Sequence, residues 1–245
     1  MTWNRIACVL ALVSLTSLVM MGCNGEPART KGQPVKQAKV EPKPGPKVEP
    51  EPTKAISVLV LPDKDASPFL SEDNFVTKWL VLGPFTFTES DFGGDQQQAA
   101  VDKEFMPAEG ALDGTQKAPK GTSWKEQQFK EGIQAGQCDL DGLYGGIEHA
   151  AAYAVAWVKC PKDLKGVKLY TGSDDYIKVW INGKLVHTYK TERRGSDWDQ
   201  DTVKDITLKK GYNRIVVKCV DVVSDWDFYF RLADKEDRPI AVKAQ

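Results

Sequence analysis

An all-β fold, an antiparallel β-sandwich, is what this chain predicts, and three observations predict it. The apolar runs are short, mostly alternate with polar residues, and are separated by Gly, Asp, Asn and Pro. No stretch carries a long helical period. Asn182-Gly183 sits between two alternating runs, in GSDDYIKVWINGKLV, and supplies the two positive-φ positions of a type I′ hairpin turn. In chain order the candidate strands are residues 57–61, 78–82, 153–159, 167–170, 176–181, 184–189, 201–208, 213–220, 226–232 and 239–242. Many short strands at this spacing suit a sandwich.

Several elements carry a readable inside and outside. A two-residue turn at Asn182-Gly183 sets Ile181 opposite Lys184, Trp180 opposite Leu185, Val179 opposite Val186 and Tyr176 opposite Tyr189. One hairpin face is then aliphatic, and the other mixes Tyr176, Lys178, Trp180, His187 and Tyr189. Trp226, Phe228, Phe230 and Leu232 alternate with Asp227, Tyr229 and Arg231, so the first set points to the core and the second to solvent or rim. Lys209-Lys210-Gly211 is a turn signal. Residues 85–136, rich in Gly, Gln, Asp and Lys, predict long loops with one short strand or helix around residues 124–129. No internal repeat is visible.

The chain has 245 residues, and 41% are hydrophobic, enough for one sizeable domain with its own core. Its ends are different. Residues 1–5 are short and basic, residues 6–21 are an apolar run too short for a membrane span, and Gly22-Cys23 follows. Residues 1–22 resemble a bacterial lipoprotein signal, with Cys23 as the residue to be lipidated; Met20-Met21 departs from the usual Leu and small residue at those positions. Residues 23–54 are dominated by Pro, Lys, Glu, Gly and Gln, and predict a disordered, partly polyproline-like tether. The β-sandwich domain is then residues 55–245. It carries 25 Lys and Arg against 30 Asp and Glu, a net charge of −5 that argues against a nucleic-acid partner.

Outside the cytoplasm a disulfide is allowed. Cys160 and Cys219 each close an apolar strand-like run and can face one another in a core, which makes them the pair to join; three buried, unpaired thiols is the other arrangement open to Cys138, Cys160 and Cys219.

The segments WLVLGPF, AYAVAWV, GSDDYIKVWINGKLV, RRGSDWDQDTV, LKKGYNRIVVKC and DWDFYFRL together resemble a β-sandwich module of bacterial secreted and surface proteins. The resemblance is to galactose-binding-like jelly rolls and to the sugar-binding modules related to anthrax protective antigen, over roughly residues 78–232. In some sugar-binding members of the latter group two adjacent aspartates hold a calcium ion that also binds sugar hydroxyls. The resemblance implies that Asp174 and Asp175 match that pair. Calcium takes about six to eight oxygen ligands, so the ion can leave two for a vicinal diol. The competing reading has the two carboxylates capping loop amides or pairing with arginines. A further acidic ligand is needed for calcium, and Asp197, Asp199 and Asp201 are the acidic neighbours in sequence, with Asp199 the choice for a metal set of Asp174, Asp175 and Asp199.

Asp197-x-Asp199-x-Asp201 begins like an EF-hand loop, but Thr202 stands where the turn glycine belongs and Leu208 where the bidentate Glu belongs. With Arg193 and Arg194 just before it, a loop of Arg–Asp pairs is the favoured reading. Exposed aromatic rings are another route to sugar, since they pack on the apolar face of a pyranose; Tyr176, Trp180 and Trp198 are the candidates, with Arg194 as a polar contact. Catalytic signatures are missing: there is no GxSxG elbow, HExxH, phosphate loop or dinucleotide fingerprint, and only His149 and His187 are present.

The expectation is therefore a non-catalytic lipoprotein of the bacterial cell envelope, held to a membrane by its N-terminal lipid and facing the periplasm or the exterior. Its sandwich domain is expected to bind carbohydrate or glycan-bearing surface material, with calcium as the one candidate cofactor. The alternative is a structural or assembly module that contacts envelope proteins and takes no small ligand.

Overall fold

A computed structural model describes residues 58–60, 75–92, 97–129, 136–238, 240 and 243–244. The chain divides into two units, Met1–Pro44 and Gly45–Gln245. The first unit, with the signal and most of the tether, lies outside the described residues, as do Cys23 and most of the strand expected at residues 239–242. Among the described residues no helix is long and apolar enough to cross a membrane.

The second unit is an all-β sandwich. Its strands are β1 Val58–Val60, β2 Lys78–Thr86, β3 Ser123–Gln128, β4 Cys138–Asp139, β5 Ala150–Cys160, β6 Leu164–Asp174, β7 Tyr176–Ile181, β8 Lys184–Tyr189, β9 Asp201–Leu208, β10 Gly211–Asp221, β11 Asp227–Ala233 and β12 Lys243–Ala244. One short helix, α1 Leu140–Tyr144, precedes β5; Asp139 caps it by accepting a 2.7 Å bond from the Gly142 amide. The large sheet runs β12-β1-β5-β10-β7-β8, and β2 joins it through β5 and carries β3 on its other edge. The small sheet runs β4-β11-β6-β9. Among the described residues every pairing is antiparallel except β1 with β5.

β5 explains why its sequence reads as an apolar run and not as an alternation. Both of its faces are buried, and its residues sort by size. Ala150, Ala152, Ala154, Ala156 and Val158 face the small sheet across the sandwich, whereas Tyr153, Val155 and Trp157 face a second core on the outer side of the large sheet. Small residues between the sheets leave room for Trp79, Phe228 and Phe230, whose rings meet edge to face at 5.4 and 5.6 Å. Trp226, Phe228, Phe230 and Leu232 enter the core as expected, but Asp227 and Tyr229, expected at solvent or rim, are buried on the other face and only Arg231 is half-buried.

The outer core is roofed by irregular chain between β2 and β3. Ala100, Val101, Met106 and Leu112 pack on Leu82, Tyr153, Trp157 and Trp180. A buried lysine fastens this roof. Lys218 of β10 donates to the carbonyls of Val101 and Lys103, at 2.9 and 2.6 Å, and to the Glu109 carboxylate at 2.9 Å. Tyr153 donates to the same carboxylate oxygen. Burial pulls Lys218 down to about 8, while Glu109 opposes the shift.

The hairpin keeps half of its expected register. Asn182 and Gly183 have φ of 52° and 78°, the two left-handed positions of the turn, and Ile181 pairs with Lys184 and Trp180 with Leu185. Between Trp180 and Val179 the register slips by one residue, so Val179 faces His187 and Ile177 faces Tyr189. The slip brings His187 to β9, where its Nε2 lies 3.0 Å from Asp201 and ties the two sheet edges together.

No disulfide joins Cys160 to Cys219. Both thiols are free, as is that of Cys138, and all three are buried. Strand register is the cause: on β5 and β10, Cys160 lies opposite Gly211 and Cys219 opposite Ala152, eight residues along the ladder. That is about 26 Å at the rise of a strand, far beyond the Cα spacing of roughly 7 Å that a disulfide tolerates.

Candidate functional site

The site lies where β6 turns into β7. The Asp174-Asp175 peptide is cis. Asp174 ends β6 on the outer face of the small sheet, opposite Asp227 of β11. Asp175 is held from the large sheet: its amide donates to the Val220 carbonyl at 3.1 Å, and its Oδ2 accepts from the Val222 amide at 2.9 Å. Val220 pairs with Tyr176, so the next residue on β10, Asp221, comes level with Asp175. Carboxylate oxygens of Asp174, Asp175 and Asp221 all lie within 4.8 Å of one another, and all three residues are buried.

Buried carboxylates this close repel. Burial, then Asp175, Asp227 and Asp225, lift Asp174 to about 8. Burial, then Asp175, Asp141 and Asp174, lift Asp221 to about 8 as well. Asp175 is raised by burial, less so because the Val222 amide and Arg193 favour its charge. Asp221 is 1% exposed, and neither of its carboxylate oxygens has a hydrogen-bond partner. A buried group with two orphaned acceptors normally has an unseen donor or cation. The residues fit a metal ion: two oxygens on opposite sides of an ion at 2.3–2.6 Å are separated by about 5 Å. Three oxygen donors with no His or Cys suit calcium, magnesium or manganese.

The β8–β9 connection forms the outer wall. Gln200 bridges it, accepting from the Ser173 amide at 3.1 Å and donating to the Gly195 carbonyl at 2.7 Å. Ser196 donates to Asp227, which also accepts from Gln137 at 2.8 Å and is raised mainly by its burial. The Asp197 carbonyl rests on Gly172 so closely that a Cβ there would come within 1.9 Å of it. Only glycine permits that approach.

Of the residues expected to form the site, Asp174 and Asp175 stand at its centre. Tyr176 is buried and edges a pocket of about 360 Å³ shared with Glu89, Gln97, Arg193, Val222 and Val223. Asp199 does not stand beside Asp174 and Asp175: it pairs with Arg231, and the third carboxylate next to them is that of Asp221. Arg194 works inside the loop, donating to the Ser173 carbonyl at 3.3 Å and to Asp201, with its guanidinium 3.5 Å from the Tyr189 ring centre. Burial acts to raise Asp201, but His187 and Arg194 outweigh it and hold the carboxyl down at about 2. Of the expected Arg–Asp loop, Arg194 pairs with Asp201, whereas Asp199 pairs with Arg231 of β11 and Arg193 lines the pocket beside Tyr176. Trp180 is no sugar platform; it is 7% exposed and packs under Gly110. Trp198 is 43% exposed on the outer face of the small sheet.

Asp221 was not singled out in the sequence, and Arg193 only as an arginine of the acidic loop, not as a lining residue of this pocket. Asp221 has no local motif, and only the β7–β10 register brings it to Asp175.

No protein-family model matches this chain, and no curated protein does. Among solved structures it is similar to a PA14 sugar-binding domain from an RTX adhesin, at 11% identity over 69% of this chain and 96% of that one, with a TM-score of 0.34. It is also similar to the PA14 domain of an antifreeze protein, at 14% identity over 70% of this chain and 73% of that one, TM-score 0.31. A β-glucosidase from Kluyveromyces marxianus in complex with glucose follows at 11% identity and TM-score 0.31; the match takes in 64% of this chain and 16% of the enzyme.

Proposed function

We propose that this domain is a non-catalytic carbohydrate-binding module whose ligand is held through a calcium ion at Asp174, Asp175 and Asp221. The observation that carries the reading is Asp221, a buried carboxylate whose two oxygens have no hydrogen-bond partner and one of which lies within 4.8 Å of an oxygen of Asp174 and of Asp175. Uncompensated, such a cluster of charges is costly, and a divalent cation offsets most of it. Calcium when bound supplies free coordination positions, which two adjacent sugar hydroxyls can fill. The sequence resemblance of GSDDYIKVWINGKLV supports the class of ligand. The polar lining of the adjoining pocket, Glu89, Gln97 and Arg193, supports it as well, since these side chains can donate to and accept from hydroxyls.

The reading includes attachment to the bacterial cell envelope through a lipid on Cys23, with residues 23–54 as the tether; it rests on sequence alone. Metabolic labelling with a radioactive fatty acid tests it: label in the wild type and none in Cys23→Ser is expected, and an unlabelled wild type refutes it.

Calorimetric titration of the full chain in detergent with CaCl₂ and with MgCl₂ tests the cation. Saturable calcium binding that is lost in Asp221→Asn and in Asp174→Asn, with far-UV circular dichroism unchanged, is the expected result. Absence of heat with either metal, or binding that survives both variants, overturns the proposal.

A further inference from the structure

We infer that the ligand is an oligosaccharide laid along residues 193–198, from the pocket beside Tyr176, past the carboxylate cluster, to the exposed indole of Trp198. The inference rests on the carbohydrate reading above and deepens it from a single sugar to a chain of sugars.

One segment carries three features in spatial order. Arg193 lines the pocket with Glu89, Gln97 and Tyr176. Two residues on, Gly195 borders the cluster, its Cβ position lying 3.8 Å from the Asp174 Oδ2. Ser196 then bonds to Asp227, Asp197 lies on Gly172, and Trp198 reaches Tyr229, the partner of Gly172 across β6 and β11. From Arg193 to Trp198 an extended chain spans up to about 18 Å. Contact with both the pocket and the indole, with the carboxylate cluster between them, takes more than one ring.

Trp198 is built as a platform. Its ring packs against Phe75 at 5.3 Å and Tyr229 at 6.5 Å between centroids. Its amide donates to Asp197 at 2.7 Å. The indole is therefore fixed by its neighbours while much of its surface stays in water. Leu185 is the other large hydrophobic side chain exposed among the described residues, and it lies on the β8 edge, away from these loops. An immobilised flat ring gives up little entropy on binding and offers apolar area to the C–H face of a sugar. In the pocket, Glu89 and Arg193 oppose one another in charge, which suits a neutral, hydroxyl-rich chain better than an acidic one.

The test is a glycan array that prints neutral monosaccharides beside their di-, tri- and tetrasaccharides, probed with the full chain in CaCl₂ and in EDTA, with calcium titration of each variant in parallel. Calcium-dependent retention that rises from mono- to oligosaccharide is expected. Trp198→Ala should remove about tenfold of the oligosaccharide affinity and none of the calcium affinity, consistent with the loss of one stacked ring. Trp198→Phe keeps a smaller ring and should fall between the two, which secures the test if the alanine variant misfolds. Calcium binding with equal retention of mono- and oligosaccharides, an unaltered array in both Trp198 variants, or no glycan retained at all overturns this inference and leaves the cation site standing. Absence of calcium binding overturns both.

Discussion

Asp221 concentrates the physics of the site, because a carboxylate without partners is tolerable in a protein only when protonated or bound to a cation. Both it and Asp174 are raised to about 8, so the folded state holds more protons than the unfolded chain between roughly pH 4 and pH 8. Metal-free stability must then fall as the pH rises through that window. In EDTA the thermal midpoint is expected to drop steadily from pH 5 to pH 8.5, and saturating CaCl₂ to abolish the drop; a flat profile in EDTA contradicts it. Asp201 has the opposite sign. His187 and Arg194 hold it at about 2, so its contribution is complete above its unfolded value near 3.9 and is lost only as the pH falls towards 2. Asp174-Asp175 was picked out in the sequence because the resemblance of GSDDYIKVWINGKLV drew attention to two adjacent aspartates before a strand. Asp221 was not, because its membership follows from strand pairing across 46 residues of chain.

At the level of elements, the β8–β9 connection decides whether the site keeps its wall, and Gly172 is the point on which that connection rests. Gly172→Ala drives a methyl group into the Asp197 carbonyl, and the loop must lift. A cost of about 1–3 kcal/mol in urea denaturation, together with weaker calcium binding, is expected; unchanged stability and affinity would show that the contact is slack. The hairpin marks how far local sequence reaches. Asn182-Gly183 dictates its own turn and the two nearest pairs, but the slip beyond Trp180 serves the His187–Asp201 contact on the other sheet, and nothing in KLVHTY announces it. β2 gives a similar lesson. Gly83-Pro84 reads as the end of a strand, yet β2 continues to Thr86 with a register shift at those two residues, because an irregular ladder can skip a proline that has no amide hydrogen.

For the molecule as a whole, three layers are joined by few polar fasteners. Lys218 is the most buried of these, and Lys218→Met strands the Glu109 carboxylate beneath the roof. A loss of about 3–5 kcal/mol is expected by chemical denaturation, with Glu109→Gln in the same chain restoring part of it. If the proposed calcium site holds, saturation has the opposite effect: at one hundred times its dissociation constant calcium is expected to add about 2.7 kcal/mol, a rise in thermal midpoint of roughly 5–11 °C for a domain of this size. The sandwich class was legible from alternation and turn residues. The roof was not, since residues 97–118 form short 3₁₀ turns and loops that carry no period. The buried thiols have a practical consequence. Burial keeps Cys138 and Cys219 well above the usual thiol range and lifts Cys160 to about 12, so none of the three offers a thiolate to a reagent while the fold is closed. Their modification by a thiol reagent becomes a clock for opening: Cys160 reports on one end of the β5–β10 ladder, Cys219 on the end that holds the carboxylates, and the interval between them shows which end comes apart first.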